Sequence, residues 1–111
     1  AMNILTKIPK VVRVAGYDIR IELMSMHTAT SMQRYGEFSS IEQTIRLQRE
    51  MPSRFKAVDT FLHEVNHAIF WAYGLEDDDK EERIVSTFGT AQMTLFRDNP
   101  WLTKWIGEAL K

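Results

Sequence analysis

One short run holds three residues that can do chemistry together. It is His63-Glu64-Val65-Asn66-His67, an H-E-x-x-H sequence. On a helix, positions i and i+4 lie one above the other on the same face. Two imidazoles at that spacing can close on one small cation, with Zn–N distances of about 2.0–2.1 Å. Glu64 follows His63 directly, so its carboxylate stands beside the cation instead of binding it. There it can take a proton from a water that the cation has acidified toward a pKa of about 7. The chemistry this spacing suits is metal-assisted hydrolysis, with Glu64 as general base.

Catalytic zinc has three protein ligands and one open position. The third ligand must come from elsewhere in the chain. His27 is a candidate. Glu81 and Glu82, at the head of the next helical segment, are better ones, because the dipole at a helix start favours a carboxylate. The chain has no cysteine, so thiolate metal sites, disulfide scaffolds and cysteine catalysis are excluded. Histidine and carboxylate donors suit zinc, and manganese or cobalt could replace it. One ion per chain is expected.

The elements that must position these residues follow from the hydrophobic period. It is close to two before residue 50 and close to 3.6 after it. Val12 and Val14 alternate with Val11 and Arg13, and Ile19, Ile21 and Leu23 with Asp18, Arg20 and Glu22, around Gly16. That pattern predicts a β-hairpin. Residues 24–34 show no clean period. Short strands are predicted at residues 36–39 and 44–48, with Ile45 and Leu47 inward and Thr44, Arg46 and Gln48 outward.

Ser53 is the expected N-cap of a long helix, and Gly74 its stop. Val58, Phe61, Leu62, Val65, Ala68, Ile69 and Ala72 form one apolar stripe along it, with both histidines off the stripe. A second helix is expected over about residues 79–97, with Ile84, Val85, Phe88, Ala91 and Leu95 on its core face. Asp98 or Asn99 can cap a third, with Pro100 in its first turn and Trp101, Leu102, Trp105, Ile106 and Ala109 buried. The fold class is α+β: a small, mainly antiparallel sheet of three or four short strands on the long H-E-x-x-H helix, with two further helices after it.

The composition bounds the function. At 111 residues the chain is one domain, over residues 1–111. With 14 basic and 15 acidic side chains the net charge is −1, which gives no electrostatic case for direct nucleic-acid binding or an anionic membrane. Arg46, Arg49, Arg54 and Lys56 make only a modest basic cluster. There is no apolar run long enough to span a membrane and no long apolar leader block. A cysteine-free chain fits a reducing cytoplasm, where the protein is expected to work.

The metal-binding segments resemble those of the gluzincins, zinc peptidases whose third ligand is a glutamate on the helix after the H-E-x-x-H helix. The run Glu81-Glu82-Arg83-Ile84-Val85-Ser86-Thr87-Phe88-Gly89-Thr90 is similar to the glutamate-helix segment of the thermolysin-type peptidases. That alignment puts Glu82 on the ligand and matches Phe88-Gly89-Thr90 to the family's Phe-Gly-Thr. Ser86 falls where the family has an aspartate supporting a ligand histidine, and Asp59, four before His63, is a possible substitute. Period counting aims Glu81 at the interior more squarely than Glu82, so both stay open. Only 14 residues separate His67 from Glu82, fewer than in the large secreted peptidases. The chain as a whole is more similar to the minimal gluzincin domains of phages and mobile elements, akin to the ImmA/IrrE-type peptidases, over roughly residues 36–105.

The resemblance implies a zinc-dependent metallopeptidase acting on a peptide or protein. It also implies a substrate held as an added strand on a sheet edge, for which residues 38–47 are the expected edge. Tyr73, Tyr35 and His27 are candidates for stabilising the oxyanion. Phe70 and Trp71 can line a pocket beside His67. The run Glu76 to Asp79 lacks the ligand spacing of a calcium loop and is expected to be solvated. Two other classes compete: a metal-binding protein-interaction module, or an inactive or partner-activated peptidase, and a role on a phage or mobile-element regulatory protein such as a repressor. A fourth protein ligand in the open position would favour the binding module. The substrate and the oligomeric state are not written in the sequence.

Overall fold

The computed structural model describes residues 3–25 and 35–111. After a 3₁₀ turn at Ile4–Lys7 come strands β1 (Val11–Val14), β2 (Tyr17–Met24), β3 (Gly36–Ser39) and β4 (Thr44–Gln48). Helices α1 (Arg54–Ala72), α2 (Glu81–Asp98) and α3 (Pro100–Ala109) complete the chain. The α+β class holds.

β1 and β2 pair antiparallel across a two-residue turn in which Ala15 (φ 52°) and Gly16 (φ 85°) are both left-handed. That is the backbone of a type I′ turn, whose twist matches that of the strands it joins. The sheet order is β1-β2-β4-β3. β3 and β4 are antiparallel, but β2 and β4 are parallel, in the register Ile21 to Ile45. The sheet is therefore mixed: two of its three pairings are antiparallel, as expected, and the central one is parallel. A parallel neighbour needs a return crossover. Part of that crossover is β3, which runs back along the outer side of β4 and becomes the edge.

This topology changes the burial of β4. Ile45 and Leu47 are buried as the alternation requires. Thr44 and Gln48, expected outward, are buried too, because β4 lies between two neighbours. The Thr44 hydroxyl accepts from Arg20 Nε (3.2 Å) and donates to the Glu42 carbonyl (2.9 Å). Arg46 does remain on the outer face, in a cross-strand row with Glu22 and Glu37 and paired also with Glu42.

The Ser53 hydroxyl caps α1 by accepting the Lys56 amide (3.1 Å), and Gly74 (φ 66°) terminates it. Ala57, Val58, Phe61, Val65, Ala68 and Ile69 bury its inner face. Phe61 packs against Trp101 and Trp105 of α3, with ring centroids 6.3 and 5.5 Å away. The Trp105 indole donates to the Ile4 carbonyl (2.9 Å), so the start of the chain closes on its last helix.

Asn99 occupies the cap position of α3, but its side chain works elsewhere. Its Oδ1 accepts the Arg13 amide (2.9 Å), and its Nδ2 donates to the carbonyls of Arg13 and Leu95 (2.8 Å each). A buried amide with these bonds stitches the outer edge of β1 to the α2–α3 corner. α2 packs mainly through its second half: Ala91 and Leu95 are buried, Ile84 and Phe88 partly, while Val85, expected in the core, is 58% exposed. Among the described residues no helix is long and apolar enough to cross a membrane.

Candidate functional site

The α1 period that buries Phe61, Val65 and Ala68 turns His63 and His67 to the open side of the helix. Their Nε2 atoms converge to 3.1 Å, with the rings steeply inclined at 75°. Two nitrogens bound to one zinc at tetrahedral angles lie ~3.4 Å apart, so the pair fits two positions of a single small cation. The separation also suits one ring N–H···N hydrogen bond between complementary tautomers.

Glu64, only 6% exposed, sits beside the pair under the sheet edge. The cause is Gly36 at the start of β3. A Cβ built there would stand 2.8 Å from Thr60 Cγ2, 3.2 Å from Glu64 Cγ and 3.3 Å from the Arg46 carbonyl. Only glycine lets the edge strand come this close to α1. Gly36→Ala is expected to destabilise the fold by about 1–3 kcal/mol through overpacking. Thr60→Ser removes the methyl met first and should recover part of that loss in the double variant. Urea unfolding of the four-member cycle measures this; strictly additive losses would show that the contact does not limit the approach.

An open cleft of about 520 Å³ runs along α1. It is lined by His63, Glu64 and His67 with Gly36, Glu37 and Ser40, and by the apolar Phe38, Phe70, Trp71 and Leu75. β3 pairs with β4 on one side only, so its other side forms the cleft's rim. The edge is thus β3 alone, and not the whole of residues 38–47, because β4 is interior.

The other candidates stand apart from the histidines. Glu81 and Glu82 lie in the first turn of α2, both exposed and outside the cleft lining, with Glu82 Oε1 accepting from the Ser86 hydroxyl (3.2 Å). Among the described residues no group of three His, Asp or Glu comes together in metal-holding geometry. The loop at residues 73–80 delivers α2 to β1 and α3, with the first turn of that helix exposed. Asp59 is exposed, 3.9 Å from Lys56 Nζ. Tyr73 caps α1 and packs on the core, and Tyr35 lies under Lys56. His27 lies outside the described residues.

The acidic loop is solvated at Glu76, Asp77 and Asp78, as expected, while Asp79 is structural. Its carboxylate accepts the Glu76 amide (2.6 Å) and pairs with Arg83. The backbone hydrogen bond first, then Arg83, holds that carboxyl below the usual carboxylate range. Sequence reasoning missed Gly36, Glu37, Ser40 and Leu75. For Gly36 the signal was present: a glycine inside a strand marks close backbone approach.

No family model, curated protein or solved structure matches the chain.

Proposed function

We propose that this protein is a zinc-dependent metallopeptidase of the gluzincin kind, hydrolysing a peptide laid along β3. The observation that carries the reading is the convergence of the two Nε2 atoms to 3.1 Å beside a buried glutamate, on the floor of an open cleft. His63 and His67 would hold the ion; Glu82, or its neighbour Glu81, exposed and outside the cleft in this structure, would have to be brought in with the first turn of α2 to serve as third protein ligand. When bound, the ion supplies Lewis acidity, easing deprotonation of water and polarising the scissile carbonyl.

The chain's own groups do the rest. The outer side of β3, the edge of the sheet among the described residues, would offer backbone hydrogen bonds to an extended peptide and fix its register over Glu64. Glu64 accepts the proton of water as the water oxygen bonds to the carbonyl carbon. As the C–N bond breaks, the same carboxyl gives that proton to the leaving nitrogen. Its burial beneath Gly36 keeps the carboxylate at one place on the cleft floor.

Metal content tests the reading and names the third ligand. Mass spectrometry is expected to find one zinc per wild-type chain and near-stoichiometric zinc in Glu81→Ala. Glu82→Ala should bind zinc more weakly by more than the ~10–100-fold cost of losing a mere outer partner. The reverse pattern would assign Glu81, and a zinc-free wild type would remove the metal site altogether.

A further inference from the structure

The cleft's apolar lining is an extension of the histidine face. His63, His67 and Trp71 are successive i+4 positions of α1, each about 6 Å further along the helix axis. Trp71 is held from two sides. Its ring lies 4.7 Å from that of Tyr17 on β2 and 5.8 Å from that of Phe38 on β3, yet 36% of the residue stays exposed. Phe70, also in the lining, packs on Phe88 of α2 (6.1 Å). Leu75, buried, completes the apolar lining.

We infer that Trp71, braced by Tyr17 and Phe38, is a specificity-determining shelf that receives an aromatic or large aliphatic side chain of the substrate peptide. This rests on the hydrolytic reading for the place of the scissile bond. Same-face residues of an extended peptide are about 6.6 Å apart, close to the step from His67 to Trp71. The side chain on the shelf therefore belongs to a residue about two positions from the bond at the histidines. A large ring already immobilised by neighbours gives up little freedom when a side chain covers it. Charge narrows the class further. The exposed Glu76, Asp77 and Asp78 follow Leu75 in the cleft lining, so acidic side chains are disfavoured there.

The test uses the full zinc-loaded chain and alanine hexapeptide amides carrying one variable residue: Phe, Leu, Ala or Asp. Binding is followed on Glu64→Gln through the indole N–H resonances of the three tryptophans, with Trp71→Phe identifying its own. The Phe and Leu peptides are expected to bind about tenfold or more tighter than the Ala peptide, the Asp peptide most weakly. The Trp71 resonance should move while those of Trp101 and Trp105 stay. Equal affinities for Phe and Ala peptides, or an unmoved Trp71 resonance, overturn the shelf; the affinity comparison needs no shelf-deleted variant to fold. Incubation of wild type with the same peptides separates the two proposals. Cleavage with equal kcat/KM across the series leaves the peptidase and removes the shelf. Binding at Trp71 with no cleavage leaves the shelf and removes the peptidase.

Discussion

Glu64→Gln is expected to keep its zinc and to lose peptide hydrolysis by about 10²–10⁴-fold, the span general-base catalysis supplies. The substitution suits this site because Glu64 is buried against the edge strand. Glutamine has nearly the same shape, so Gly36 and Thr60 still meet a side chain of the right length. What changes is that an amide takes up no proton. Water then keeps its proton as it attacks, and the leaving nitrogen departs without one. Zinc by mass spectrometry and hydrolysis of a labelled peptide, on one preparation, separate the possibilities. Full activity would strip Glu64 of its role as base. Joint loss of zinc and activity would make it a ligand instead.

The second large effect is on the scaffold. Phe61→Ala is expected to cost about 3–5 kcal/mol, a large share of the ~5–15 kcal/mol that holds a domain of this kind together. Phe61 is wholly buried and its ring meets both tryptophans of α3. It lies two residues before His63 and on the other side of α1, so the contact that anchors the helix also sets the direction of the histidines. Phe55, 70% exposed at the start of the same helix, is the control. Its alanine variant should stay within about 0.5 kcal/mol of wild type. Urea unfolding measures both. A loss below about 1 kcal/mol for Phe61→Ala would mean that the α1–α3 cluster is not what fixes the site helix.

The histidine face was legible in the sequence because it is local. Helical period alone places His63 over His67 and sets both off the stripe of Val58, Phe61, Val65 and Ile69, and the structure brings their nitrogens together. The caps at Ser53 and Gly74, the hairpin turn at Gly16 and the inward side of β1 and β2 are local for the same reason: each depends on a few adjacent residues and the pleat or turn they impose.

What the tertiary structure alone decided is which distant pieces meet. Strand alternation places Thr44 and Gln48 outward on an edge, and only the insertion of β4 between β2 and β3 buries them. The period of α2 marks Val85 as core, and only the docking of that helix chiefly through Phe88, Ala91, Leu95 and the neighbouring Asn99 leaves Val85 and the helix's first turn in solvent. The carboxylates of Glu81 and Glu82 ride on that turn. The proximity of Gly36 to Glu64, across 28 positions of chain, has no period to announce it. Residue order dictates the face a side chain takes on its own element; strand order and the angle at which a helix docks determine what that face meets.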